Sequence, residues 1–145
     1  MVAFSGRLLY ASDDSVTRRS LRGVKAFDVV IEAKDDNALG LTREGLQTDV
    51  ELRCRQAGIK LEKVTEPFLY VAVTAQELTS APSGRSMNAF ALFVEVRFEQ
   101  AVLLSRSPDT LVAAPTWSVG EMVTGPTRDS QRSCRGVVRD WLKSS

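Results

Sequence analysis

Arginines at a helical spacing near the end of the chain are the first residues whose pattern suggests a chemistry. Within RDSQRSCRGVVRDWLKSS, the guanidinium groups of Arg128, Arg132, Arg135 and Arg139 would line one side of a helix. A positive stripe of this kind is what contacts with phosphate groups require. We name these four residues the arginine stripe and treat it as a candidate contact for nucleic acid or another acidic partner.

A solvated helix face explains the same arginines without any partner, and two observations favour it. Trp141, the one aromatic residue of this segment, falls on the opposite, apolar side of the predicted helix. The whole chain carries 19 basic and 18 acidic side chains, so its net charge indicates no particular partner. Nucleic acid is therefore a less favoured partner, although the pattern leaves it open.

No histidine occurs among the 145 residues, and this absence excludes several classes of active site. Ser-His-Asp and Cys-His catalysis both need an imidazole, which is also the commonest transition-metal ligand in proteins. Cys54 and Cys134 alone cannot complete a structural zinc site. We therefore expect no catalytic residue, no cofactor and no metal ion. The two cysteines are predicted to be reduced thiols in the core, although a disulfide between them stays open.

Pairs of carboxylates are the remaining groups that could act as acid and base. Asp13 and Asp14 are neighbours, and Glu95 and Glu99 stand four residues apart on a predicted strand. Residues at that spacing lie on one face of a strand about 13 Å apart, which exceeds the separations that glycosidases use. A polar strand face explains these residues, so an enzyme that relies on carboxylates alone is the weakest of three hypotheses.

Hydrophobic periodicity predicts the elements that must position these side chains. Residues 1–23 show no sustained period and are predicted to form an N-terminal arm, whereas residues 24–145 are predicted to form one α+β domain. VKAFDVVIEA is predicted to be a strand. LTREGLQTDVELRCRQAG is predicted to be a helix with Thr42 as its N-cap, Gly58 just beyond its end and Cys54 on its core-facing side. The final segment is predicted to be a second amphipathic helix that carries the arginine stripe.

Four more strands are predicted between the two helices. Their sequences are IKLEKV, FLYVAVTA, AFALFVEVRFEQAVLL and TLVAAPTWSVGEMV. ELTSAPSGRSMN, between the second and third of them, has the composition of a loop. Pro115 cannot donate to a hydrogen-bond ladder, so it indicates a strand edge or a bulge. The order strand, helix, four strands, helix predicts a mixed, mainly antiparallel sheet of four to five strands with both helices on one face.

Aromatic residues of the sheet form the second candidate contact surface. If both helices cover one face, the other face holds whichever of Tyr70, Phe93 and Trp117 points away from them. An uncovered apolar patch of this kind marks an interaction site. The favoured cover is the N-terminal arm or a second subunit, ahead of a small-molecule ligand.

Several segments together resemble a family of uncharacterised bacterial proteins, many of them exported. They are SLRGVKAFDVVIE, GLTREGLQTDVELRCRQAGI, PFLYVAVTA, AFALFVEVRFEQAVLL and APTWSVG. The resemblance implies a bacterial origin and an envelope location, and it implies no activity and no site residue. The first residues contain no apolar segment long enough for a signal peptide, so the sequence itself predicts a cytoplasmic protein or one whose leader was removed. No apolar run predicts a membrane span.

These observations favour a non-enzymatic domain that binds itself or an unknown protein partner through a sheet face or a strand edge. Strand addition at an edge needs only unpaired backbone groups, so it leaves no sequence motif. The alternative is binding of nucleic acid or another acidic partner by the arginine stripe.

Overall fold

Six strands form one sheet in a computed structural model, which describes residues 7–12, 15–33 and 40–144 and the side chains of 17–33, 40–130 and 132–140. The strands are β1 (Arg7–Ser12), β2 (Ala26–Ala33), β3 (Lys60–Leu61), β4 (Phe68–Ser80), β5 (Arg85–Leu104) and β6 (Ser107–Pro126). The helices are α1 (Ser15–Arg18), α2 (Arg43–Gln56) and α3 (Ser130–Ser144), with 3-10 turns at Arg19–Leu21 and Thr127–Asp129.

The sheet is mixed, and its strands follow the order β1-β6-β5-β4-β2-β3. β2 runs parallel to β3 and β4, whereas β4, β5, β6 and β1 are antiparallel neighbours. Parallel strands need a long crossover, and α2 provides it. The predicted α+β class and the predicted order of strand, helix, four strands and helix are confirmed. β1, which comes from the predicted N-terminal arm, adds one outer strand beside β6.

Both long helices pack on one face of the sheet, as predicted. From Phe90 to Phe98 the residues of β5 alternate between buried and half-buried, so one side of this strand lies in the core beneath the helices. The side chain of Trp141, which the sequence assigns to this core, lies outside the described residues. Among the described side chains, the two helices contribute six buried apolar residues to the core: Leu46, Val50, Cys54, Cys134, Val137 and Val138.

α2 begins and ends where its sequence predicts. The Thr42 hydroxyl oxygen accepts a hydrogen bond from the Gly45 backbone N–H at 3.1 Å and so caps the N-terminus. At the other end Gly58 has a φ of +80°, a conformation that glycine adopts without strain. This turn lets the Ile59 N–H donate to the Cys54 carbonyl at 3.0 Å, which closes the helix as a Schellman motif.

The hairpin between β4 and β5 is longer than the sequence predicts. ELTSAPSGRSMN is strand on both sides of a turn at residues 81–84, so the loop prediction is wrong for most of its length. Residues 81–88 are exposed, and hence no hydrophobic period marks the strands there. β3 is shorter than IKLEKV predicts, because within the described ranges Lys60 and Leu61 are the residues of that segment that pair with β2.

Pro115 lies at a bulge in β6, as its missing N–H predicts. Phe98 pairs with Trp117 and Glu99 pairs with Pro115, so Thr116 is the extra residue on β6. The bulge ends the regular part of the sheet on this side.

Beyond the bulge the β5–β6 hairpin continues past both of its neighbours. β4 pairs with β5 no further than Glu99, and β1 pairs with β6 from Ser118 onward. Within the described ranges, residues 100–114 therefore form a two-stranded extension, which we name the ribbon.

Candidate functional site

One face of the sheet has no described helix on it and is a candidate contact surface. We name it the helix-free face. Tyr70, Phe93 and Met122 lie on it, because each alternates along its strand with residues of the core. Trp117 does not, because it pairs with Phe98 on the helix-covered face and is 6% exposed. Of the three candidates, Tyr70 and Phe93 are therefore the ones that point away from the helices, whereas Trp117 faces the core.

Arg97 forms a charged cluster in the middle of the helix-free face. Its guanidinium carbon lies 4.5 Å from the centre of the Tyr70 ring. Its Nε lies 3.9 Å from an oxygen of Glu95 and 3.6 Å from an oxygen of Glu99. The two carboxylates thus flank one cation that also rests on an aromatic ring. This ion-pair cluster explains both glutamates without an acid–base role. The other predicted pair, Asp13 and Asp14, lies outside the described residues.

The ribbon carries a pair of exposed leucines. Leu103 of β5 pairs with Leu111 of β6, and each is 63% exposed. The smaller Ala101 and Ala113 pair beside them and are also exposed. A two-stranded ribbon is at best marginally stable on its own in water. These leucines are therefore available to a partner that covers the ribbon.

β6 also has an open edge along the ribbon. No strand among the described residues pairs with the outer side of β6 before Ser118. Pro108 and Pro115 bracket the stretch DTLVAA, residues 109–114, in which Asp109 is the one charged residue. We name this stretch the free edge. Backbone N–H and carbonyl groups along such an edge are a template for another strand.

All four residues of the arginine stripe are exposed. Arg128 lies in the 3-10 turn before α3, and the other three lie on α3. Arg135 Nε contacts Asp49 Oδ2 on α2 at 2.8 Å, and Arg139 Nε contacts Asp140 Oδ1 at 3.5 Å. Two of the four guanidinium groups thus have carboxylates beside them, which lowers the positive potential that a polyanion would meet.

Cys54 and Cys134 are free and buried, in agreement with the predicted reduced thiols. Burial, helped by the Glu51 carboxylate, raises the pKa of Cys54 to about 11. Burial, helped by the Asp49 carboxylate, raises the pKa of Cys134 to about 12. In each case a neighbouring arginine opposes the shift more weakly. A thiol that keeps its proton is a poor nucleophile, so neither cysteine is a candidate catalytic group.

An apolar cavity of about 190 Å³ lies between the helices and the sheet. α2 and α3 contribute one valine each, and β2, β4, β5 and β6 contribute the floor. All described lining residues are apolar: Leu21, Val24, Phe27, Val50, Ile59, Leu69, Val71, Val96, Phe98, Trp117 and Val138. An apolar cavity of this size can accept small apolar molecules.

The described part of the chain contains neither a helix that could span a membrane nor a cluster of metal ligands. No helix there is both long and apolar enough to cross a membrane. No three cysteine or carboxylate side chains there converge as metal ligands.

Sequence reasoning missed the ribbon leucines, the cavity and a buried carboxylate. Glu121 is fully buried and pairs with Val94. Its signal is in the sequence, because strand alternation from Trp117 and Val119 puts Glu121 on the core-facing side. The cavity has no linear signal, because its lining comes from many separate segments.

The comparisons with known proteins do not identify a function for this chain. No family model matches the chain, and no curated protein matches it. One similar solved structure is a PelC dodecamer from Paraburkholderia phytofirmans, with 14% identity over 96% of this chain and 95% of that chain and a TM-score of 0.48. A second is rare lipoprotein B from Shewanella oneidensis, with 12% identity over 81% and 88% of the two chains and a TM-score of 0.39. A third is a minor lipoprotein from Acinetobacter baumannii, with 14% identity over 83% and 87% and a TM-score of 0.39.

Proposed function

We propose that this chain is a non-enzymatic domain that associates with a second copy of itself by strand addition at the free edge. The observation that carries the proposal is the juxtaposition of this edge with the exposed Leu103 and Leu111 pair. Backbone hydrogen bonds at an edge supply affinity, and neighbouring apolar side chains supply surface to bury. The ribbon would thereby become part of a sheet that is wider than two strands.

The composition of the free edge suits pairing with its own copy. Two identical strands that pair about a two-fold axis run antiparallel, so Asp109 of one copy lies at the opposite end from Asp109 of the other. The like charges therefore stay apart. Leu111 lies near the centre of the stretch and comes opposite small or β-branched residues of the partner strand.

The flanking prolines favour a closed dimer over an open fibre. Pro108 and Pro115 lack the N–H that a longer ladder would use, so they limit the pairing to about six residues. A two-fold pairing also uses the same edge on both copies, which leaves no further copy of that edge to extend the assembly. Covering the two leucines contributes about 1 to 2 kcal/mol per side chain.

The experiment is light scattering at several protein concentrations on the wild type and on Leu111→Lys. We expect the wild type to dimerise with rising concentration and the variant to stay monomeric, since lysine on an edge strand opposes edge pairing. Leu52→Lys is the matched control, because Leu52 is 48% exposed on α2, away from the ribbon. The control should dimerise like the wild type. A wild type that stays monomeric throughout, or a Leu111→Lys variant that dimerises normally, contradicts the proposal.

Binding of an acidic partner by the arginine stripe remains a separate prediction, and the carboxylates beside Arg135 and Arg139 do not favour it. A bacterial origin and an envelope location also remain proposals that rest on the sequence resemblance alone.

A further inference from the structure

The mouth of the apolar cavity is marked by its three half-buried lining residues. Leu21, Val24 and Ile59 are partly exposed, whereas the other described lining residues are buried. They belong to the segment before β2 and to the turn after α2. The cavity therefore opens where these two connections meet.

A basic residue follows each of these three positions in the chain. Arg22 follows Leu21, Lys25 follows Val24, and Lys60 follows Ile59, and all three basic side chains are exposed. Lys60 forms an ion pair with Glu62 at 2.5 Å, so its charge is partly compensated. Arg22 and Lys25 thus place two exposed positive charges next in the chain to residues of the mouth.

We propose that the cavity binds the alkyl chain of a single-chain amphiphile with an anionic head group, such as a fatty acid. This inference is independent of the self-association at the free edge. The described lining side chains are apolar apart from the Trp117 indole N–H, so a charged head group cannot enter without a large desolvation cost. The chain would lie inside, and the head group would stay at the mouth near Arg22 and Lys25.

The cavity volume sets how much of the chain is covered. An apolar cavity of about 150 Å³ holds a benzene molecule. The 190 Å³ here would therefore hold the last six or so carbons of an alkyl chain. Each methylene that leaves water contributes about 0.8 kcal/mol, so chain length governs affinity up to that limit.

The experiment compares octanoate with 1-octanol and octyltrimethylammonium as ligands of the full chain. Thermal unfolding reports stabilisation, and methyl NMR spectra report contact with the cavity valines. We expect all three to shift the cavity methyl signals. Octanoate should raise the midpoint of unfolding most, by about 3 °C or more, because a ligand that binds the folded state stabilises it. Equal binding of the anion and the cation would overturn the role of the basic mouth.

Two pairs of variants separate the cavity from the mouth. Val24→Phe should fill the opening and abolish binding of octanoate and octanol alike. Its control, Val30→Phe, makes the same change at a 36% exposed position that does not line the cavity, and should bind normally. Val24 is half-buried in a loop, so its variant tests the cavity without replacing a fully buried residue.

The mouth is tested by charge reversal. Arg22→Glu with Lys25→Glu should weaken octanoate about tenfold and leave octanol unchanged. Arg85→Glu with Arg106→Glu makes the same change of net charge at exposed positions that do not border the mouth, and should leave both ligands unchanged. Cavity methyl signals that move with none of the ligands, or Val24→Phe binding like the wild type, would overturn the proposal.

Discussion

The free energy of unfolding at alkaline pH depends on the thiols of Cys54 and Cys134. Their folded pKa values of about 11 and about 12 lie above the ordinary value of 9.0. The folded state therefore holds these protons more tightly, so the stabilisation is complete below pH 9 and is lost as the pH rises toward 11 and 12. In that range each thiol lowers the free energy of unfolding by about 1.4 kcal/mol per pH unit.

We expect the Cys54→Ala, Cys134→Ala double variant to be less stable at pH 7, because two buried side chains are shortened, and to have a flatter profile above pH 9. Urea unfolding at pH 7 to 10.5 measures both effects, with the wild type alongside because other groups titrate equally in both proteins. Parallel profiles for the two proteins above pH 9 would contradict the pKa shifts.

The salt dependence of polyanion binding tests the arginine stripe. If it binds a polyanion, the affinity for mixed-sequence DNA or RNA falls steeply with salt concentration, and Arg132→Glu with Arg135→Glu abolishes binding. Titrations at low and at moderate salt measure this. Since Arg135 already contacts Asp49, we expect binding to be weak even at low salt. Complete absence of binding at low salt ends the polyanion hypothesis.

For single residues, the sequence predicts whether a side chain is buried better than it predicts which other side chain it contacts. The buried thiols follow from helical periodicity, which assigns Cys54 and Cys134 to apolar sides. The contact between Arg135 and Asp49 does not follow, because it depends on how α3 lies against α2. Ion pairs between elements are set by packing, which no local pattern encodes.

In the helical elements, we expect substitution of glycine by alanine at two positions to have opposite effects on the free energy of unfolding. Gly136 lies inside α3, and apart from its chain neighbours and the backbone of its own helix no described atom lies within 4 Å of a Cβ added there, so the close approach that would explain a glycine is not seen. We expect Gly136→Ala to raise the free energy of unfolding by up to about 1 kcal/mol, because alanine is the better helix former.

Gly58 provides the matched control. A Cβ there also meets nothing within 4 Å, but its φ is +80°. Gly58→Ala should therefore lower the free energy of unfolding by about 1 kcal/mol through backbone strain alone. Denaturant unfolding measures both variants. Equal effects of the two substitutions would contradict the assignment of Gly136 to a regular helix and Gly58 to a left-handed turn.

Element boundaries were predictable where a cap or a buried face marks them. Thr42 and Gly58 fix α2 because their chemistry is local. The ends of β4 and β5 were not predictable, because residues 81–88 are exposed and their strand form depends on the partner strand. Pro115 was informative because a missing N–H restricts where a strand can be paired.

The arrangement of the whole molecule follows from the order of its elements. One crossover helix requires a parallel pair, and the tight turns between β4 and β5 and between β5 and β6 require antiparallel ones, so the mixed sheet was predictable. The ribbon was not, because it depends on how far β5 and β6 extend past β4 and β1. The cavity was not predictable either, because small differences in packing between the helices and the sheet create it.

Hydrogen exchange at the free edge tests the proposed self-association most directly. Strand addition would protect those backbone N–H groups of residues 109–114 that point away from β5, because they become hydrogen-bonded only in the dimer. We predict that these amides exchange slowly in concentrated protein and rapidly after dilution, while amides that bond to β5 in the centre of the sheet exchange equally slowly in both. Exchange at 109–114 that is rapid and independent of protein concentration would contradict the account.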